Sequence, residues 1–257
     1  ASAAIARNAM RPRGCLSYPM TAWTLIFNTH GFLYPLVAFI CSISVSNVVS
    51  ALNSNEMARA DVTETSGVTT ANFVGALFQI AIVVGGIVFG GYVDRTKRFK
   101  SVTIALLTGS FIALALLGVA EGLDDTLSTP IVIFLMFLLG LMLGPVQPIN
   151  AELAVEVAYP IDENAVEATQ QLGGNLFSAI LLPICVRSAS DDIQVPRGID
   201  YLAVYTRLPT DMMGDSAVLL VVVVVTLLYF TRFASVLRRE EADHKRPSTE
   251  RGRSGVC

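Results

Sequence analysis

Between Ala71 and Lys100 the chain reads ANFVGALFQIAIVVGGIVFGGYVDRTKRFK. An uncharged, mostly apolar run from Ala71 to Val93 is followed at once by Asp94, Arg95, Lys97, Arg98 and Lys100. A bilayer core of ~30 Å takes about 20 helical residues to cross, and this run is long enough. Hydrocarbon offers no partner to backbone N–H and C=O groups, so a run that crosses it as a single segment must be helical. The cluster of charges marks where the helix leaves the lipid.

The same pattern recurs along the chain. Further spans are expected at Ala22–Val48, Val102–Ala120, Pro130–Ala154, Ala165–Val186 and Ser216–Phe233, making six with Ala71–Val93. Composition agrees: 53% of the 257 residues are apolar and 15% charged, against about 25% charged in soluble domains. The mean hydropathy is +0.59. The expected fold is therefore an all-α membrane protein, a bundle of six transmembrane helices over residues 22–233. Residues 1–21 form a cytoplasmic N-terminal segment, and 234–257 a charged cytoplasmic tail expected to be disordered.

Orientation follows from lysine and arginine, which collect on the cytoplasmic side. Of 18 basic residues, only Arg59, Arg187, Arg197 and Arg207 fall outside the N-terminal segment, the Asp94–Lys100 turn and the C-terminal end from Arg232 onward. Both termini are then cytoplasmic. The turn carrying Asp162, Glu163 and Glu167 lies on that same side without a basic residue, an anomaly that asks for a partner charge. The chain begins at Ala1 rather than at a methionine, and further residues are expected to precede it.

Two stretches carry more than topology. Gly90 precedes Asp94 by one helical turn, placing a close-approach residue and an acid together at a helix end. From Gly144 the chain reads GPVQPINAELAVEVAYPIDE, with Glu152, Glu156 and Tyr159 on one helical face. Carboxylates this near lipid are costly unless they face a cavity or a partner. Pro160 is expected to end that helix, and Asn164 with Glu167 to start the next as a capping box.

The first stretch resembles the cytoplasmic-loop signature of the major facilitator superfamily, G-x-x-x-D-R-x-G-R-[RK]. Gly90, Asp94, Arg95 and Arg98 match it, Lys97 stands in the place of the usual glycine, and Phe99 replaces a basic residue. The second, E-x-x-x-E-x-x-Y-P followed by an acid, is similar to solute carrier family 49, which includes the feline leukaemia virus subgroup C receptor-related proteins and a lysosomal relative named for disruption in renal carcinoma. The resemblance runs from about Gly31 to Val186. It implies that the six helices are the second half of a twelve-helix transporter whose N-terminal six-helix half is the missing partner. The implied substrate is a small organic solute: a choline-like cation, haem or a pyridoxine-type vitamin. It further implies a central cavity that includes Tyr34 and Asn175, with Gln171 on the same polar face as Asn175. The implied cytoplasmic gate comprises Gly90, Asp94, Arg95, Arg98, Glu152 and Glu156. In that gate Asp94 meets the start of the fifth helix near Asn164, and Arg95 or a neighbouring basic residue reaches Glu156.

Blander readings stand beside these. The stripe of Gln171, Asn175 and Ser178 lines a pathway or glues two helices together. His30 couples protons or packs, and Tyr34 faces a solute or anchors an interface. Gly86-x-x-x-Gly90 and Gly140-x-x-x-Gly144 are expected close-packing patches. Cys15, Cys41, Cys185 and Cys257 show no metal spacing, and no Ser/His, His/Asp or HExxH set supports an enzyme. No metal, cofactor or nucleic-acid partner is expected; the partners are the solute and the lipid bilayer, in a plasma or endolysosomal membrane. The alternative function is a six-helix scaffold that assembles with a partner and transports nothing itself. The charge distribution makes a direct prediction: for protein at the plasma membrane, an epitope tag at either end labels only after permeabilisation, whereas one between Ser188 and Asp215 labels on intact cells; on isolated intact organelles the pattern reverses.

Overall fold

The computed structural model describes residues 17–29, 31–59, 64–120, 128–188, 192–194 and 211–234. His30, both terminal segments and most of the Ser188–Asp215 connection lie outside them. Helices dominate, in the order α1 (Ser17–Asn28), α2 (Leu33–Arg59), α3 (Glu64–Thr96), α4 (Phe99–Ala120), α5 (Ser128–Leu143), α6 (Val146–Ala158), α7 (Glu163–Ser188) and α8 (Gly214–Thr231). One short antiparallel pair, β1 (Asp192–Gln194) with β2 (Asp211–Met213), joins α7 to α8 with Ile193 opposite Met212.

Two of the six expected spans are broken. The first is interrupted between Asn28 and Leu33, where Gly31 has φ 89°, a left-handed conformation that glycine adopts without steric cost. Only Leu33–Leu52 of that stretch is long and apolar enough to cross a membrane. The fourth breaks at Gly144–Pro145 but continues as a kinked span from Pro130 to Ala158. Among the described residues five helices qualify as candidate spans: Leu33–Leu52, Asn72–Thr96, Phe99–Gly118, Pro130–Ala158 and Gly214–Thr231. The expected fifth span, α7, has the length at 26 residues but is too polar to qualify. Sequence periodicity does not foresee the first break, because a glycine between apolar segments reads equally well as continuous helix.

The kink in α5–α6 holds the bundle's centre together. Pro145 and Pro148 lack N–H donors, and the Gln147 N–H turns back to the Gly144 carbonyl at 3.3 Å, one residue short of helical register. That leaves the Leu143 carbonyl without its helical donor. The buried Ser42 hydroxyl of α2 supplies one at 2.7 Å. Ser, Thr and neighbouring helices commonly satisfy such freed carbonyls in membrane helices.

Around the kink, glycine lets backbones touch. A Cβ on Gly140 would lie 2.7 Å from the Phe78 carbonyl, and one on Gly144 2.6 Å from Ile82 Cα, both on α3. The expected Gly140/Gly144 patch is therefore a true contact. The expected Gly86/Gly90 patch is not: a Cβ on Gly86 just reaches Pro148 at 4.0 Å, and one on Gly90 meets nothing within 4 Å. Gly85 fills that role instead, with its missing Cβ 2.9 Å from Pro145 Cγ. Spacing identifies close-packing glycines but not the face they share with a partner.

An apolar core of Val45, Val48, Phe78, Leu114, Leu139, Leu143 and Val223 fills the bundle's middle. A second cluster, with Val93, Phe99, Leu106, Val157, Phe230 and Phe233, closes the end carrying the basic turn. Gly144→Val should abolish folded protein, since Ile82 backbone cannot retreat. Ser42→Ala should cost about 1–3 kcal/mol by stranding a buried carbonyl. Thermal unfolding of both variants in detergent measures the two effects.

Candidate functional site

The basic turn is two residues long. α3 ends at Thr96, α4 begins at Phe99, and Lys97 between them has φ 52°. Its N–H donates to the Val93 carbonyl at 2.7 Å, the closing bond of a helix that ends in a left-handed residue. The position where the signature carries glycine is thus the one position in the turn whose backbone favours it. Lysine accepts the strain, and its ammonium reaches Glu152 Oε1 of α6 at 3.3 Å while lying 5.8 Å from the Phe99 ring centroid.

This arrangement bears on the expected gate in two places. The turn crosses to α6 through Lys97, a basic neighbour of Arg95, which meets Glu152. Asp94 is exposed and does not cap α7. The α7 N-terminus is already served by Asp162, whose Oδ1 accepts from the Asn164 backbone N–H at 3.0 Å and side-chain amide at 3.3 Å. Asp162 therefore holds the N-cap place expected of Asn164, and a second carboxylate there would be repelled. The helix does end as expected, at Ala158 just before Tyr159 and Pro160.

On the other expected site the structure separates the residues. Gln171 and Asn175 are exposed on α7. Tyr34 is not beside them. Its ring stacks on Tyr229 of α8 at 4.7 Å and meets Phe233 edge-on at 5.6 Å. Counting from Ala22 puts Tyr34 at mid-span, but the break at Gly31 restarts the helix at Leu33. At ~1.5 Å per residue Tyr34 then lies about 12 Å nearer the basic end than Ser42.

Sequence reasoning missed the neighbours of Asn175. Ser44 donates to the Gly174 carbonyl at 3.1 Å, and Ser178 donates to the same oxygen at 2.8 Å. Asn47 Nδ2 donates to Ser178 Oγ at 3.1 Å, and Gln79 Nε2 of α3 donates to Ser50 Oγ at 3.1 Å. Asn47, Ser50 and Gln79 are all exposed. With Gln171 and Asn175 they form a polar band across α7, α2 and α3. Ser178 is helix glue, as the blander reading held, while the amides of Gln171 and Asn175 are directed outward. Single polar residues in apolar helices carry little signal, and only the packing of three helices aligns these.

Apolar crossing helices, a short basic turn and an outward polar band together define a multi-pass integral membrane protein. Comparison with known proteins names its class. The family model described as Major Facilitator Superfamily matches residues 3–181, and the chain belongs to that superfamily of membrane transporters. It is similar to a protein named solute carrier family 49 member A3 from Xenopus tropicalis, 35% identical over 115 residues, which is 44% of this chain and 23% of that protein. It is also similar to an MFS-type transporter from Caenorhabditis elegans, 29% identical over 170 residues, covering 65% of this chain and 26% of the relative. The chain thus matches about a quarter of the length of these curated relatives, and within the superfamily it is solute carrier 49-like.

The strain at Lys97 yields a test. Lys97→Gly removes the left-handed penalty of about 1–2 kcal/mol and loses an exposed ion pair of at most ~1 kcal/mol. Its melting temperature should equal or exceed that of the natural chain. Lys97→Ala keeps the strain and loses the pair, so it should melt lower.

Proposed function

We propose that the chain is one six-helix half, the C-terminal one, of a transporter that moves a small organic solute by alternating access. The polar band carries this reading. Amide and hydroxyl groups exposed on otherwise apolar membrane helices are unfavourable against lipid and are placed instead toward a cavity or another bundle. In this fold class, substrate sites lie near the bilayer midplane at the interface between repeats. Asn175 adjoins Gly174, whose carbonyl is tied to Ser44, only two residues from the Ser42 that braces the central kink.

In this reading α7 is the crossing helix too polar to be recognised by hydropathy alone, because one of its faces is wet. Residues 22–233 then form the bundle, flanked by cytoplasmic segments at 1–21 and 234–257. Gln171 and Asn175, joined by Asn47 and Gln79, are the solute-facing groups. Neutral amides both donate and accept, which suits a small polar solute with hydroxyl, amine or carbonyl groups, among them the choline-like and pyridoxine-type classes. Tyr34 belongs to the aromatic packing of α2 on α8, and one face of its ring is already covered by Tyr229. At the basic end Gly90, Asp94, Arg95, Arg98, Glu152 and Glu156 form the gate, with the Lys97–Glu152 pair as its latch in the present conformation. The exposed Asp94 is then available to a different partner when the bundles rock.

Uptake by the full-length protein, screened over small polar organic solutes, tests this directly. Asn175→Ala should raise KM about tenfold for the transported solute, the effect of losing one or two hydrogen bonds to a bound ligand. Tyr34→Ala should lower thermal stability with KM unchanged. Residues 1–257 expressed alone should show no saturable uptake. Uptake by that half, or a normal KM in both Asn175→Ala and Gln171→Ala, refutes the assignment.

A further inference from the structure

A cavity of about 390 Å³ opens at the basic end of the bundle, between the start of α4 and the end of α8. Lys97, Arg98, Lys100 and Ser101 line it together with the apolar Phe99, Leu153 and Phe233. From this geometry we infer a binding site for the phosphate headgroup of an anionic lipid, separate from the polar band and adjoining the proposed gate.

The charges make the first part of the case. Lys97 is compensated by Glu152. Lys100 is not compensated by a carboxylate: its ammonium donates to the Phe233 carbonyl at 2.6 Å, a dipole at the end of α8. The Arg98 side chain is exposed and makes no ion pair or hydrogen bond among the described residues. Two positive charges therefore face one cavity without a fixed counter-charge among the described residues. The start of α4 adds to them. Its first main-chain bond runs from the Val102 N–H to the Arg98 carbonyl at 3.2 Å, so the N–H groups of Phe99, Lys100 and Ser101 precede the helical ladder. A phosphate supplies several acceptor oxygens, and a guanidinium binds two of them at once.

The apolar side chooses between a lipid and a free ion. Phe99, Leu153 and Phe233 are buried yet contribute to the cavity wall, as suits the glycerol and upper acyl carbons attached to a headgroup. The volume lies within the range of small-ligand sites. The position also fits, because basic pockets between membrane helices at the cytoplasmic side hold anionic headgroups.

Phosphatidic acid is the simplest probe, since it presents a phosphate monoester on a lipid. The full-length protein, in nanodiscs of phosphatidylcholine with and without phosphatidic acid, is titrated and bound lipid measured by native mass spectrometry. Phosphatidic acid should be retained in preference to phosphatidylcholine. Arg98→Gln should weaken its retention about fivefold (about 1 kcal/mol), and Arg98→Gln with Lys100→Gln further. The Arg98 side chain is exposed and without a partner among the described residues, so its replacement leaves folding intact; unchanged thermal stability in phosphatidylcholine alone verifies this. Equal retention by the natural protein and the Arg98→Gln variant overturns the proposal. Arg98-dependent binding of inorganic phosphate without any preference for phosphatidic acid assigns the cavity to a soluble anion and overturns the lipid reading.

Discussion

Satisfying backbone polar groups inside a dry bundle is the constraint on which this structure depends, and it is tightest where α5 gives way to α6. Two prolines and a glycine there disrupt the helical ladder and release the Leu143 carbonyl. One hydroxyl on another helix, Ser42, receives it at 2.7 Å. This bond does more than satisfy an acceptor. It sets the level of α2 against the kink, and through Ser44 and Gly174 it sets the level of α7 as well. The glycines at 140 and 144 then bring α3 to backbone contact on the kink's other side. Three helices are positioned by one irregularity, and the polar band lies across those same three helices.

The two ends of the bundle solve different electrostatic problems. In the middle, neutral amides and hydroxyls are shared between helices, and no described carboxylate or ammonium is required. At the basic end charge is unavoidable, because a two-residue turn must carry the signals that keep it out of the lipid. Lys97 there combines three roles: it closes α3 in a left-handed conformation, pairs with Glu152 and leans on Phe99. Glu152, inside α6, thereby meets a counter-charge from the neighbouring turn.

Membership of the superfamily changes the meaning of exposure. The outward faces of α7, α2 and α3 carry Asn175, Gln171, Asn47 and Gln79, whereas much of α3 and α8 exposes Val83, Ile87, Val221 and Val225. An exposed valine face suits acyl chains. An exposed amide face needs water, solute or a second bundle, and this contrast distinguishes the two sides of the same module.

Much of the architecture was legible in the sequence because hydropathy is a local property. Uncharged runs of about 20 residues and a clustered set of lysines and arginines sufficed for four of the spans, the turn between α3 and α4, and the stop at Pro160. The Gly-x-x-x-Asp-Arg and Glu-x-x-x-Glu-x-x-Tyr-Pro patterns likewise led to the family, because turn chemistry and helical faces are encoded over a few residues. What tertiary structure alone decided was everything that depends on rotation and level. Gly31 broke the first helix and moved Tyr34 away from Asn175; Asp162 displaced Asn164 as the cap of α7; Lys97 was the residue of the basic turn that reached Glu152. Each of these turns on which of several nearby, chemically similar groups comes within about 3 Å of a partner. A one-residue change in helical phase turns a side chain by about 100°, and no local pattern specifies that phase against a neighbouring helix.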